Sequence, residues 1–98
     1  GVNPNTLKVY GAVSEETARE MAEGIAKNFD TNVAISTTGI AGPDGGTIDK
    51  PVGLVYIGIY INGKTIVNKY ILKGNREDNR LRATKKAIND LRLRLLEL

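Results

Sequence analysis

Two apolar, β-branched runs on either side of an Asn-Gly dipeptide limit the fold of this chain more than any other feature. Residues 52–61 and 64–73 are rich in Ile, Val, Leu and Tyr, and Asn62-Gly63 stands between them. A two-residue type I′ turn needs positive φ at both positions, which Asn-Gly adopts readily. The sequence therefore predicts a β-hairpin. The first of its strands is apolar on both faces, which is typical of a strand inside a layered domain.

Helical signals precede this hairpin. A short helical turn is predicted after Asn3, with proline at its first position and Gly11 at its end. A second helix is predicted from Ser14 to about Phe29, because Ser14 is a good N-cap and apolar residues then recur at helical spacing. The β-rich run 33–37 follows and predicts a short, buried central strand.

A long helix is predicted to follow the turn at residues 74–75 and to run to the C-terminus. Its apolar positions recur every three or four residues, so we expect this stripe to pack on the sheet. The stripe consists of Leu81, Thr84, Ile88, Leu91, Leu95 and Leu98. With helices on both sides of three strands, the predicted fold is a three-layer α/β/α domain with a mixed sheet. It is a truncated version, with about three strands and two to three helices.

The composition removes several kinds of chemistry. The 98 residues include no cysteine and no histidine, which excludes a thiol nucleophile, a disulfide and an imidazole base or ligand. We therefore expect no metal and no cofactor in this chain. No apolar run approaches 18 residues and no signal peptide is visible, so we expect a cytoplasmic protein with no membrane partner. The only methionine is Met21 and the chain starts at Gly1, which suggests a processed or cut polypeptide.

Charge is distributed unevenly along the chain. Residues 1–50 hold four Lys and Arg against seven Asp and Glu, whereas residues 51–98 hold ten against four. The basic half could be a solvated helix face, a site for a small anionic ligand, or a nucleic-acid surface. The first of these is favoured, and nucleic acid is the least favoured because no aromatic residues are interleaved with the basic ones.

A glycine-rich stretch over residues 38–47 is the candidate ligand site. Glycines let several backbone N–H groups converge on an anion, and threonine hydroxyls add polar groups at the rim. The alternative is a tight structural connection, but so long a connection in a small domain favours a functional loop. The stretch contains Thr38, Gly39, Gly42, Gly45, Gly46 and Thr47, and the hydroxyl of Thr37 immediately before it belongs to the same candidate site.

Several strings in this sequence resemble the C-terminal domain of the CinA family, the nicotinamide-nucleotide amidases. The match runs in order along nearly the whole chain, and its Thr-Gly-Ile-Ala-Gly-Pro string is specific. In the family a Gly-Asp-Arg segment precedes the last helix, and here Asn75 replaces the aspartate. The strings are residues 11–16, 38–43, 45–47, 50–53 and 74–76, with Arg80 beyond them.

The resemblance implies an amidohydrolase of pyridine-nucleotide recycling. It would convert nicotinamide mononucleotide to nicotinic acid mononucleotide and ammonia. The family's nucleophile is a serine in a Glu-Ser-Cys-Thr-Gly-Gly segment, assisted by a tyrosine and a lysine from a Tyr-Ser-Asn-x-x-Lys segment, and such a site needs no histidine. Neither segment occurs in residues 1–98. No catalytic residue is therefore expected in this chain, which would form the C-terminal part of one amidase domain and be inactive alone.

The resemblance also assigns binding residues. Thr38 matches the family's glycine-loop threonine, and either Arg76 or Arg80 matches its ligand-facing arginine. The loop glycines and Thr47 complete the predicted wall of the nucleotide site. A non-catalytic nucleotide-binding or oligomerisation module is the alternative function. An unpaired strand edge would also favour a homo-oligomer or a companion N-terminal segment.

Overall fold

The structure, a computed structural model, describes residues 2–40, 50 and 52–97, and at Arg76 the backbone alone. The described chain forms three helices and three strands. The helices are α1 (Pro4–Tyr10), α2 (Glu15–Phe29) and α3 (Arg76–Leu96). The strands are β1 (Val33–Gly39), β2 (Leu54–Ile61) and β3 (Lys64–Ile71).

Each of the three helices is preceded by a residue whose side chain caps its N-terminus. Asn3 accepts a hydrogen bond from the Asn5 amide at 2.8 Å, and the Ser14 hydroxyl accepts one from Thr17 at 3.1 Å, as predicted. Asn75, interpreted from sequence as a turn residue, caps α3 by accepting from the Asp78 amide at 2.9 Å. Each cap satisfies an amide that the helix itself cannot pair.

The predicted hairpin is confirmed. β2 and β3 pair antiparallel from Leu54↔Ile71 to Ile61↔Lys64. Asn62 and Gly63 have φ of 48° and 88°, the two positive values that a type I′ turn requires. Turn chemistry and strand composition agree here, which is why the register could be anticipated.

The sheet has the order β1-β2-β3, and its described strands are antiparallel throughout rather than mixed. β1 also continues to Gly39, two residues into the stretch predicted as loop. The ladder continues because β2 presents backbone partners that far, with Gly39 opposite Val55. Ile40 extends the pairing by donating its amide to the Leu54 carbonyl at 2.9 Å.

Small residues join α2 to one face of the sheet. Ala18, Ala22 and Ala26 are buried on α2. Opposite them, Ser36 donates its hydroxyl to the Ala18 carbonyl at 2.6 Å, and Gly58 is the partner of Ser36 across the ladder. The absence of bulk on both sides lets the helix backbone approach the sheet closely.

Large aliphatic side chains fill the other face, beneath α3. The buried cluster there contains Ala87 of α3, and its β2 members are Val55, Ile57, Ile59 and Ile61. Because α2 and α3 cover opposite faces, the described chain is a three-layer α/β/α fold, as the sequence predicts.

The face of α3 that packs on the sheet differs from the predicted stripe. Ala83, Ala87 and Leu91 contact the core, whereas most of the stripe projects to solvent. The alanines allow the helix to lie close over the branched side chains of β2, so the wider leucines and isoleucine fall on a flank. The exposed stripe residues are Leu81, Thr84, Ile88 and Leu95, and Leu98 lies outside the described residues.

A polar network joins the second half of α3 to the edge strand β3. The buried Asp90 accepts hydrogen bonds from the Tyr70 hydroxyl at 2.8 Å and from the Asn68 amide at 3.0 Å. The Lys86 ammonium lies 4.9 Å from the centre of the Tyr70 ring. Burial, followed by the hydrogen bond and the charge of Asp90, raises the pKa of Tyr70 from 10.0 to about 12.

This raised pKa predicts a loss of stability in alkali. The folded state holds the Tyr70 proton more tightly than the unfolded chain, so the stabilisation is complete below pH 10 and disappears as pH rises toward 12. Its steepest slope is at most about 1.4 kcal/mol per pH unit for one proton. Chemical unfolding between pH 8 and 12 should show a shallower decline in Tyr70→Phe than in the parent. Parallel curves for the two proteins would contradict this assignment.

Candidate functional site

A cleft of about 290 Å³ opens where β1 ends, between the sheet and the first half of α3. Its described lining combines apolar residues, among them Val55, Leu72 and Ala83, with polar ones. β1 ends at this same point, within the glycine-rich stretch, whose described part stops at Ile40. Backbone bonds between Ile40 and residues 53–54 close the base of that stretch.

Arg80 gives the cleft its charge. Among the described lining residues it is the only one with a charged side chain. Its guanidinium makes no ion pair or hydrogen bond to the rest of the described chain. An unpaired guanidinium in such a cleft offers several N–H donors to a phosphate, carboxylate or oxyanion.

The two adjacent threonines of β1 face opposite sides of the sheet. Thr37 is opposite Ile57 in the ladder and shares the α3 face with the cleft. Thr38 projects to the other face, where its hydroxyl donates to the Ala12 carbonyl at 2.6 Å. Because that proton is already donated, Thr38 can interact with a ligand only as an acceptor.

Side-chain donors hold the connection between α1 and α2. Lys50 donates to the Tyr10 carbonyl at 2.6 Å, and Thr17 donates to the Gly11 carbonyl at 2.7 Å. Together with the Thr38 bond to Ala12, they satisfy three successive carbonyls. Thr38 is the first residue of the glycine-rich stretch and Lys50 follows that stretch in sequence, so hydrogen bonds near both of its ends reach the connection between α1 and α2.

The structure describes part of the predicted binding wall. Thr38, Gly39 and Arg80 all line the cleft. Gly39 allows β1 to lie close to β2, since a Cβ there would be 2.6 Å from the Leu54 carbonyl oxygen. Arg76 begins α3, and its side chain is not among the described ones. Gly42, Gly45, Gly46 and Thr47 lie outside the described residues.

Three further polar residues line the cleft, namely Thr37, Asn79 and Thr84, and of these sequence reasoning counted only Thr37 among the hydroxyls of the candidate site. Strand alternation from Ile35 could have placed Thr37 on the α3 face. Thr84 lies one helical turn after Arg80, and its hydroxyl donates to the Arg80 carbonyl at 3.1 Å. Asn79 is 3% exposed, and it donates to the Gly74 carbonyl at 3.2 Å. A buried asparagine on a basic helix had no sequence signal.

The described ranges were also searched for metal-binding groups and membrane spans. They contain no group of three or more acidic side chains placed to hold a metal ion. No helix within them has the length and apolar character needed to cross a bilayer.

Fold and cleft together define an α/β domain with a cleft at a strand end, in which Arg80 is the one charged side chain of the described lining. The family described as the CinA C-terminal domain matches residues 1–95, and the chain belongs to that family. A Clostridioides difficile (strain 630) relative, named for competence-damage induction, is 61% identical over 98 residues. A CinA-like protein of Kosmotoga olearia is 57% identical over 98 residues.

Solved structures agree with this membership. A CinA superfamily protein from Enterobacter cloacae superimposes with a TM-score of 0.91 at 35% identity, covering 97% of this chain and 56% of that one. A CinA superfamily protein from Klebsiella pneumoniae 700603 superimposes with a TM-score of 0.93 at 31% identity. The match covers 99% of this chain and 61% of that one. Both matches to the curated relatives cover the whole of this chain. The chain spans only 23% of the length of the first relative and 24% of the length of the second.

Proposed function

We propose that this chain is the C-terminal portion of an amidohydrolase that acts in the cytoplasm on nicotinamide mononucleotide. Water replaces the amide nitrogen, so the carboxamide becomes a carboxylate and ammonia leaves. The observation that carries the proposal is the unpaired Arg80 in a cleft with mixed polar and apolar lining at the end of β1. Such a cleft suits a ligand with one flat apolar ring and one anionic group.

Each wall residue has a chemical role in this proposal. Arg80 holds the nucleotide phosphate or the oxyanion that develops on the amide carbonyl. Backbone N–H groups of Gly42, Gly45 and Gly46, with Thr47, supply further donors to the same charge. Thr38 contributes to the wall through its backbone at the end of β1, because its hydroxyl projects to the other face of the sheet and donates to the Ala12 carbonyl. Arg76 is the alternative anion holder.

The reactive groups are proposed to come from another segment. The described lining of the cleft includes no serine, tyrosine, lysine or carboxylate, so it contains no base to activate a nucleophile. This composition also favours the second candidate function, a nucleotide-binding or oligomerisation module that performs no chemistry. The two functions differ in one measurable product, ammonia.

Ammonia release tests the proposal. The 98-residue chain with nicotinamide mononucleotide should release none. A chimera in which residues 1–98 replace the matched region of the Clostridioides difficile relative should release it, with the unmodified relative as positive control. Ammonia release by the 98-residue chain alone would contradict the proposal. So would a folded chimera and an unmodified relative that both release no ammonia. Nucleotide binding without ammonia from either would favour the binding module.

A further inference from the structure

The cleft at the end of β1 contains a hydroxyl group that forms no hydrogen bond within the described chain. It belongs to Thr37, which lines the cleft and is exposed to solvent. The other threonine hydroxyls of the cleft residues already have partners. Thr84 donates to the Arg80 carbonyl at 3.1 Å, and Thr38 donates to the Ala12 carbonyl at 2.6 Å. Thr37 therefore offers a ligand both a donor and an acceptor.

Strand pairing fixes the direction in which the Thr37 side chain projects. Thr37 is opposite Ile57, which belongs to the buried cluster beneath α3. Ile35, two residues earlier on the same strand, packs against that cluster, and residues two apart on a strand share a face. A β-branched side chain also has few rotamers. The backbone ladder thus holds the Thr37 hydroxyl on the α3 side of the sheet, although the hydroxyl itself has no partner there.

Thr37 and Arg80 differ in chemistry and come from different layers of the fold. Arg80 presents a charged guanidinium from the helix, which can only donate, and Thr37 presents a neutral hydroxyl from the sheet. A ligand that satisfies both groups has an anion and a neutral polar group in one molecule. The apolar part of the lining, which includes Val55 and Ala83, can contact the carbon skeleton of that ligand.

The proposed reaction indicates which neutral group Thr37 meets. A nicotinamide nucleotide has two kinds, the carboxamide and the sugar hydroxyls. The carboxamide reacts, so it must lie beside the nucleophile and its base, and the described lining of the cleft contains neither. The sugar hydroxyls do not react and can bind away from those groups. With the sugar at Thr37, the anion at Arg80 is the phosphate, which is bonded to that sugar.

We propose that Thr37 is a specificity-determining residue whose hydroxyl binds a hydroxyl group of a pentose phosphate, while Arg80 binds the phosphate. Arg80 then supplies attraction to any anion, and Thr37 supplies the preference for an anion that carries a sugar. Only the choice of a pentose rests on the proposed function. The presence of an unpaired hydroxyl and an unpaired guanidinium in one cleft does not depend on it.

Ribose 5-phosphate and inorganic phosphate separate the sugar from the anion in a binding experiment. In the chimera described above, Thr37→Val should weaken binding of ribose 5-phosphate about 3- to 10-fold, which corresponds to the loss of one neutral hydrogen bond. Binding of inorganic phosphate should change by less than about twofold, because that probe has no sugar hydroxyl. Arg80→Ala should weaken the binding of both probes. Calorimetric titration at millimolar ligand gives these ratios.

Thr37→Ser and Thr65→Val are the matched controls. Thr37→Ser keeps the hydroxyl and should bind ribose 5-phosphate within about twofold of the parent. Thr65→Val makes the same change on β3, outside the cleft lining, where the hydroxyl donates to Glu23 at 2.8 Å, so both affinities should be unchanged. Valine suits a strand, and Thr37 loses no hydrogen bond, so Thr37→Val should unfold within about 2 °C of the parent.

The possible outcomes distinguish this proposal from the amidase function. Equal affinity of the parent and Thr37→Val for ribose 5-phosphate would overturn the proposal, even in a chimera that releases ammonia. So would equal losses for both probes in Thr37→Val, or a folded parent chimera that does not bind ribose 5-phosphate. A preference for ribose 5-phosphate that disappears in Thr37→Val would support it. That same preference in a chimera that releases no ammonia would contradict the amidase function alone.

Discussion

Gly58→Ala is expected to lower the free energy of unfolding by about 2–4 kcal/mol, as overpacking and a broken buried hydrogen bond combine. A Cβ at Gly58 would lie 2.6 Å from the Ala18 carbonyl oxygen and 2.6 Å from the Ser36 hydroxyl. These two atoms are themselves hydrogen-bonded at the contact between α2 and the sheet. The added methyl group would separate the layers at that contact.

Two further variants distinguish crowding from the loss of a glycine. Gly63→Ala has open space around the new Cβ but a φ of 88°, so it should cost roughly 1–2 kcal/mol from backbone strain alone. In a Ser36→Ala background one of the two close atoms is gone, and Gly58→Ala should cost less than in the parent. Denaturant unfolding of the parent, Gly58→Ala, Ser36→Ala and the double variant measures the coupling between the two positions. If the losses in free energy of unfolding for Gly58→Ala and Ser36→Ala were strictly additive, the crowding explanation would be wrong.

Arg80→Ala should weaken binding of nicotinic acid mononucleotide about 10- to 100-fold. A hydrogen bond to a charged group contributes about 1.5–3 kcal/mol, and 1.4 kcal/mol corresponds to a factor of ten. The guanidinium has no partner among the described residues, so its removal leaves no other side chain there unpaired. Calorimetric titration into the parent and variant chimeras gives the ratio directly, and unfolding midpoints should be unchanged.

Lys85→Ala is the control for net charge. Lys85 is exposed on α3 and does not line the cleft, so its loss should change the affinity less than about twofold at physiological salt. Arg76→Ala addresses the other arginine of the family motif. A large loss with Arg76→Ala and none with Arg80→Ala would assign the anion to Arg76 instead. Equal losses of affinity in Arg80→Ala and Lys85→Ala would mean that Arg80 acts through long-range charge and not through contact with the ligand.

Sequence rules predicted the structure correctly where the deciding contacts lie within one short segment. The turn at 62–63 needs positive φ, and Asn-Gly supplies it, so the hairpin and its register followed from the sequence. The caps at Asn3 and Ser14 were likewise predictable, because a capping side chain bonds an amide only two or three residues away. The order of helices and strands rests on such signals.

Position relative to other elements was not predictable in the same way. Thr38 looked like a loop residue next to Gly39, yet β2 extends far enough to hold both in the ladder. The leucine spacing on the last helix predicted its buried face, but Ala83 and Ala87 pack on the sheet because small side chains permit closer approach. Periodicity shows that a helix has an apolar stripe without showing which neighbour covers it.

The amino-acid sequence by itself determined the hairpin, the capped helices, the absence of thiol and imidazole chemistry, and the motifs of the CinA family. Each of these depends on residue identity or on contacts within a few positions. Only the tertiary structure decided that Thr37 and Arg80 share one cleft, that Thr38 donates its proton to Ala12, and that Leu81 and Ile88 of α3 are exposed. These facts depend on contacts between residues distant in sequence, which the packing of α2 and α3 on the two sheet faces establishes.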